Sequence, residues 1–185
     1  MEENPRIEVP QELFAPAESS SFSGTYDLPV LEAGPDTYSF KTPLEWNATL
    51  SNTGGALLIT GSVTGEAEIA CARCLNDYTL PVEGEIEGYI LLSSDESAPE
   101  DMDDDEFDVL GEDNAIDLAP LLNAALLIEL PLIPLCSPDC KGLCTQCGHN
   151  LNEGDCSCEK HSRLASGDTH PNPFAVLKDF PFDEN

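Results

Sequence analysis

The sequence has very little positive charge. Its 185 residues include seven lysines and arginines against 36 aspartates and glutamates, so the formal net charge is −29. Proteins that bind nucleic acids neutralise phosphates with clustered lysine and arginine, and released counterions supply much of their affinity. A chain with this balance repels RNA, DNA and anionic membranes, and attracts basic proteins. The composition therefore predicts a basic protein as partner, with no membrane association.

A long uninterrupted apolar run is also missing. The most apolar window, residues 118–135, contains Asn123, Glu129 and three prolines, whereas a membrane helix needs about 20 apolar residues with few charges. The first residues, MEENPRIEVPQELF, lack the basic and apolar regions of a secretory signal. We therefore expect a cytoplasmic protein.

Motifs that carry catalysis are not found. The sequence has no Gly-rich phosphate loop, no H-E-x-x-H and no convincing Ser/His/Asp set. Its many carboxylates are explained by solvated faces and do not by themselves form an acid–base pair. The chain is therefore expected not to be an enzyme.

Alternating apolar and polar residues predict an antiparallel sheet. In residues 78–92, Val82, Ile86 and Ile90 fall on one face and glutamates fall on the other, as in a strand with one dry and one wet face. The turn signal SNTGG, residues 51–55, lies between the strand-like segments 36–50 and 56–65. Further strand-like segments lie at 21–31, 36–50, 56–65 and 65–74.

One helix is predicted over roughly residues 118–130. Asp117 is the expected N-cap, and Pro131 ends the helix because a residue before proline disfavours helical geometry. The apolar residues recur at helical spacing, so we expect the helix to cover one face of the sheet. They are Leu118, Leu121, Leu122, Ala125 and Leu126.

Two other segments have distinctive composition. Residues 93–108 hold nine acidic residues and no basic ones, which predicts a solvated, mobile loop. As an alternative, this loop imitates a nucleic acid and docks on an RNA-binding protein. Residues 170–180 predict a short helix, capped by Asn172 and docked on the body.

The eight cysteines favour metal binding over disulfides, because the chain is not a short secreted scaffold. Cys144 and Cys147 flank a two-residue spacer and are followed by Gly148, as in a metal knuckle. Cys156 and Cys158 lie two apart, so their side chains point the same way in an extended segment. One tetrahedral site is predicted from these four cysteines.

The other four cysteines are available for a second site. If the helix packs back on the sheet, the pair Cys71 and Cys74 meets the pair Cys136 and Cys140. Spare ligands are His149 and His161, which we expect to be solvated. The basic residues near the cysteines are expected to compensate thiolate charge; they are Arg73, Lys141, Lys160 and Arg163.

Zinc is the expected metal, with two ions per chain, because all-thiolate tetrahedral sites suit zinc and require no redox chemistry. Iron in a rubredoxin-like arrangement is the alternative metal. A thioredoxin-like role for Cys71 and Cys74 expects a helix after the first cysteine, whereas strands are predicted on both sides. An electron-transfer or thiol-redox protein is therefore the second hypothesis.

Several segments together resemble the large ribosomal RNA subunit accumulation protein family (YceD-like), in its cysteine-rich Gram-positive type. The resemblance covers roughly residues 65–180. It implies a role in accumulation, processing or stability of large-subunit (23S) ribosomal RNA, and it favours Cys71 and Cys74 joining Cys136 and Cys140. The tail after Lys178 departs from the family, because DFPFDEN is acidic. The matching segments are CARCL, the acidic middle, IDLAPLLNAALLIELPLIPLC, CKGLCTQCGHNLNEGDCSC and PNPFAVL.

The complete prediction is an α+β protein with an antiparallel, partly barrel-like β-sheet, one covering helix and a zinc-binding C-terminal segment. Its function is expected to be that of a non-enzymatic ribosome-biogenesis factor, which supports large-subunit RNA indirectly through a basic partner such as a large-subunit ribosomal protein. The expected divisions are a loose leader at 1–20, a β-rich body at 21–135, a cysteine-rich metal-binding segment at 136–160 and a tail at 161–185.

Overall fold

The computed structural model describes residues 5–99, 102, 103, 106–156 and 158. These residues form a mostly antiparallel seven-stranded sheet, a two-stranded ribbon and one α-helix. The predicted α+β class is confirmed, and the sheet is open, not closed into a barrel. The elements are β1 Arg6–Glu8, a 3₁₀ turn Gln11–Phe14, β2 Ser19–Tyr26, β3 Val30–Ala33, β4 Asp36–Phe40, β5 Leu44–Asn52, β6 Ala56–Ala70, β7 Asp77–Leu91, β8 Asp108–Val109, β9 Ala115–Asp117 and α1 Ala119–Glu129.

The centre of the sheet is the long hairpin of β6 and β7. The two strands pair over their whole length, from Ala56 opposite Leu91 to Ala70 opposite Asp77. The other side of β6 pairs first with β5 and then with β4, because β6 extends beyond the end of β5. The hairpin therefore carries its connecting loop, residues 71–76, well away from the middle of the sheet.

The alternation read in β7 is confirmed. Val82 and Ile86 are buried on the inner face, while Glu83, Glu85 and Glu87 are exposed on the outer face. Because successive side chains point to opposite sides of a strand, the inner face of the sheet builds the core and the outer face stays polar.

Helix α1 packs on the inner face of β6 and β7, as predicted. Its N-cap is Leu118, one residue later than expected, and the Asp117 carboxylate still accepts the Ala119 N–H at 2.9 Å. After the last helical residue, Leu130 is extended, as the following Pro131 requires. The helix thereby directs the next segment of the chain toward the 71–76 loop.

Close packing of α1 depends on Gly84 in β7. A Cβ atom at Gly84 would lie 2.6 Å from the backbone carbon of Ala125. Gly84→Ala is therefore expected to lower the free energy of unfolding by about 1–3 kcal/mol, because backbone cannot yield as a flexible side chain can. Urea denaturation measures this loss. The control is Gly111→Ala, whose Cβ meets only the Asp113 side chain, at 3.1 Å; equal losses in both variants would contradict the packing argument.

The N-terminal segment, expected to be a loose leader, is packed from Pro5 onward. Strand β1 pairs with β9, with Ile7 opposite Ile116, and both side chains are buried. Leu13 in the 3₁₀ turn is fully buried, and its carbonyl accepts the Asn52 amide at 2.7 Å. Residues 14–19 are exposed, and the predicted division between leader and body at residue 20 stays a prediction.

The acidic segment leaves the sheet after β7 and returns as β8, which pairs parallel to the end of β7. Residues 100, 101, 104 and 105 lie outside the described residues, so its predicted mobility stays a prediction. The helix predicted at 170–180 and His161 also lie outside them. None of the described helices is long and apolar enough to cross a membrane.

Candidate metal centres

Four cysteines from two distant parts of the chain meet at the end of the β6–β7 hairpin. Their sulfur atoms all lie within 4.8 Å of one another. The Cys71 and Cys140 sulfurs are 3.8 Å apart, and the Cys74 and Cys136 sulfurs are 3.7 Å apart. Zinc–sulfur bonds of about 2.3 Å in a tetrahedron place sulfurs about 3.8 Å apart, so this cluster, site 1, has the dimensions of a four-thiolate metal centre.

The first half of site 1 is the hairpin loop itself. Cys71 directly follows the last residue of β6, and its backbone N–H donates to the Asn76 carbonyl at 2.9 Å. The Leu75 N–H donates to the Cys71 carbonyl at 2.9 Å, and Leu75 has a φ of 59°. This tight turn brings Cys71 and Cys74 to the same side of the loop.

The second half of site 1 arrives after helix α1. The Ala72 N–H donates to the Pro134 carbonyl at 2.8 Å, which fixes the incoming segment against the hairpin loop. The Arg73 guanidinium donates to the carbonyls of Cys140, at 3.0 Å, and Pro138, at 3.4 Å. These two bonds hold the halves of site 1 together, and the expected compensation of thiolate charge by Arg73 stays a prediction.

Site 2 consists of Cys144, Cys147, Cys156 and Cys158, whose sulfurs also lie within 4.8 Å of one another. The predicted knuckle is present. The Cys144 N–H donates to the His149 carbonyl at 2.8 Å, and the Gly148 N–H donates to the Cys144 carbonyl at 2.9 Å. Gly148 has a φ of 73°, which glycine adopts without steric cost.

The thiols of each site have divergent pKa values. Burial opposes ionisation of Cys71, but hydrogen bonds from the backbone N–H groups of neighbouring residues outweigh it and lower the pKa of Cys71 to about 6. Backbone hydrogen bonds at Cys147 and Gln146 lower the pKa of Cys144 to about 6. Burial and the neighbouring thiols raise the pKa of Cys136 to about 12. A metal cation bound by all four sulfurs would favour the ionised form of each thiol and so lower the raised pKa values.

Asn152, which the sequence did not single out, connects the two sites. It lies in the loop between the cysteine pairs of site 2, and its amide nitrogen donates to the Cys140 sulfur of site 1 at 3.3 Å. Its amide oxygen accepts the Lys141 N–H at 2.8 Å. The bond from the Asn152 amide nitrogen to the Cys140 sulfur is the main cause that lowers the pKa of Cys140. Groups that bond to ligand atoms orient those ligands and tune the metal, so Asn152 is a supporting residue for site 1 supplied by site 2.

Asn152→Asp is expected to weaken metal binding at site 1 about 10–100-fold, because it replaces the donor with a carboxylate facing the Cys140 sulfur. Competition with a chromophoric chelator measures the affinity. The control is Asn47→Asp, which adds the same charge at an exposed position in the middle of β5, away from the hairpin loop and its cysteines. Equal weakening in both variants would show that added charge alone is responsible.

The structure thus brings together all eight cysteines singled out in the sequence, as two groups of four that can hold metal ions. The partition agrees with the one the family resemblance favours. His149 is exposed and belongs to neither group, and only its backbone carbonyl contacts site 2. Because each group already offers four ligands, neither needs an additional one.

The chain is similar to several known proteins. The model of the family "Large ribosomal RNA subunit accumulation protein YceD" matches residues 59–181. An uncharacterized protein of Mycobacterium tuberculosis is 35% identical over 109 residues, which cover 57% of this chain and 50% of that protein. A maize (Zea mays) protein is 28% identical over 145 residues, covering 64% of this chain and 50% of its own length. That protein is named large ribosomal RNA subunit accumulation protein YCED homolog 1, chloroplastic.

The chain spans about half the length of these curated relatives. A Mycobacterium leprae protein is similarly related, 31% identical over 118 residues that cover 58% of this chain and 52% of that protein. No solved structure matches the chain.

Proposed function

Because the chain belongs to the YceD family of large ribosomal RNA subunit accumulation proteins, we propose that it is a non-enzymatic factor that supports the accumulation of large-subunit ribosomal RNA. Support for a non-enzymatic role comes from the two four-cysteine groups. A metal held by four protein thiolates has no open position for water or substrate, whereas catalytic zinc sites keep one. The groups therefore suit a scaffold.

Zinc is the metal we assign to both sites. The donors are soft thiolates in sets of four, and the sulfur separations of 3.7 and 3.8 Å in site 1 suit tetrahedral geometry. Such thiol-rich sites need a reducing compartment, which supports a cytoplasmic location. Zinc here would hold the segment after α1 to the hairpin loop and contribute folding free energy, not chemistry.

A basic protein is the partner we assign, for example a large-subunit ribosomal protein, with the RNA affected indirectly. The net charge is −29, and two zinc ions bound by eight thiolates would bring it to about −33. Phosphate binding needs clustered cations. Among the residues that the structure describes, Arg73 is the arginine nearest the metal sites, and its guanidinium donates hydrogen bonds to backbone carbonyls. The charge therefore favours protein over RNA as the direct contact.

The proposal is tested by depleting the protein in the organism that carries it and measuring the ratio of 23S to 16S ribosomal RNA. We expect the ratio to fall and to recover when the wild-type chain is restored. Crosslinking in the same cells should recover basic large-subunit proteins. An unchanged ratio would contradict the biogenesis role. Nanomolar, salt-sensitive binding of the purified chain to naked precursor RNA would contradict the indirect contact.

A thiol-redox role is the second candidate, favoured by the low pKa of Cys71, about 6. Reactive cysteines combine a low pKa with exposure, and Cys71 is fully buried. Cys71 and Cys74 also lie in a hairpin loop and not at a helix start. Bound iron, or a reversible Cys71–Cys74 disulfide in the purified protein, would restore this candidate.

A further inference from the structure

Strand β7 has one open edge. Along its whole length it pairs with β6 on one side, but on the other side only Ile90 and Leu91 pair, with β8. Among the residues that the structure describes, nothing pairs with the second edge between Asp77 and Tyr89. An unpaired edge presents a row of backbone N–H and C=O groups that another extended segment can pair with.

A groove follows this open edge. A cavity of about 230 Å³ is lined by Glu85 and Glu87, on the outer face of β7, and by residues of helix α1, on the inner side. Because its walls come from both sides of the strand, the cavity wraps around the edge. A second cavity of about 230 Å³ shares Glu87 and Leu121 and continues to Asp108 at β8. The two together form the edge groove.

The two walls of the edge groove differ in chemistry. Leu121, Ala124 and Ile128 of α1 line the inner wall, and their spacing places them on one helical face. Ile128 is 80% exposed. The outer wall carries the exposed Glu85 and Glu87, and no lysine or arginine lines either cavity. The helix wall is therefore mostly apolar, with Glu129 adding a carboxylate at its end, and the outer wall is negative.

We propose that the edge groove binds an extended segment of a basic protein, which adds to the sheet as a strand beside β7. Side chains of an added strand alternate between the two faces. Apolar residues of the segment lie against Leu121, Ala124 and Ile128, and lysines or arginines between them lie against the outer-face glutamates. This inference rests on the proposed basic protein partner and gives that partner a binding site.

Charge also decides against two other occupants. A second copy pairing β7 with β7 would bring the same outer-face glutamates together, and like charges on paired strands are destabilising. The chain's own residues 159–185 hold three basic residues and five acidic ones, so they lack the repeated positive charge that the outer wall favours. A basic partner satisfies both walls.

The test uses the full-length chain and a nine-residue peptide of alternating lysine and valine with blocked ends. Fluorescence anisotropy measures binding, and hydrogen exchange measures protection of β7 amides. We expect binding with added protection between Asp77 and Tyr89. Three control peptides should each bind at least ten-fold more weakly: one with the same residues in two blocks, one with alternate amides N-methylated, and one with glutamate for lysine.

Paired variants locate the contact on the protein. Glu85→Lys should weaken binding at least ten-fold, while Glu32→Lys, the same change on distant strand β3, should change it less than two-fold. Ile128→Asp should also weaken it at least ten-fold, while Leu132→Asp, at an exposed apolar residue that lines neither cavity, should not. Equal effects within either pair would overturn the site.

Three further outcomes of the binding tests would overturn the proposal. Unweakened binding of the N-methylated peptide would show attraction by charge alone without strand addition. Binding that appears only after deletion of residues 159–185 would identify those residues as the occupant. A dimer joined through β7 would identify a second copy. If Glu85→Lys abolishes peptide binding but still restores the 23S to 16S ratio in depleted cells, the groove is not the working surface and the proposed function stands.

Discussion

Cys71→Ser is expected to remove the metal of site 1 and to lower the melting temperature of the whole sheet by roughly 10–20 °C. Structural zinc contributes on the order of 10 kcal/mol in small modules. A loss of half this free energy, about 5 kcal/mol, corresponds to a fall of roughly 10–20 °C, because one kcal/mol moves the melting temperature of a chain of this length by about 2–4 °C. Cys71 is fully buried at the end of β6, so its loss reaches the central hairpin directly.

Cys147→Ser is the matched comparison. Cys147 is exposed, and site 2 is held by the segment after Lys141 and not by the sheet. This variant should also lose one metal ion per chain, but the melting temperature of the sheet should change by only a few degrees. Elemental analysis and thermal unfolding followed by circular dichroism measure both quantities. Two metal ions retained in either variant, or equal destabilisation by both, would contradict the division of roles between the sites.

Acidification from pH 7 to pH 5 is expected to release both metal ions. At pH 7 the Cys71 thiol, with a pKa of about 6, is largely ionised, whereas Cys136, with a pKa of about 12, is protonated. A hydrogen bond at the Asn76 backbone favours the Cys74 thiolate, but burial and the Cys71 thiol help to raise its pKa. Metal binding at site 1 therefore displaces at least two protons, and each unit fall in pH weakens it about 100-fold.

The sign of the effect on stability follows from the same proton count. A metal-bound thiolate has a depressed pKa relative to its unfolded value of about 8.5. Its stabilisation is therefore present at neutral pH and lost as pH falls. Below pH 6 Cys71 and Cys144 become protonated as well. Zinc release measured with a colorimetric dye across pH 7 to 5, with melting temperatures at each pH, tests this; metal retained at pH 5 would contradict it.

Local residue patterns were enough to predict most elements of the fold. Alternation placed Val82 and Ile86 on the buried face of β7, and Pro131 marked the end of α1. These predictions succeed because strand alternation, and the conformational restriction before proline, act over one or two residues. The knuckle of Cys144 and Cys147 was predictable for the same reason, since its turn closes within five residues.

Other features depend on segments far apart in the chain. The N-terminal strand β1 was read as part of a loose leader because its partner, β9, lies more than 100 residues later. The open sheet was expected to be partly barrel-like because alternation does not say which strand ends a sheet. Asn152 went unnoticed because its contact with the Cys140 sulfur exists only after site 2 folds against site 1.

The sequence by itself determined the acidic character of the protein, the alternation of its strands and the set of eight cysteines, since charge, periodicity and short spacing are local properties. Only the tertiary structure decided that α1 packs back on the sheet, which brings the two distant cysteine pairs of site 1 together with the Cys71 and Cys140 sulfurs 3.8 Å apart. Among the residues that the structure describes, it likewise leaves most of the second edge of β7 unpaired, beside Leu121, Ala124 and Ile128 of α1. An open edge is defined by the neighbours that a strand does not acquire, and no local pattern encodes that.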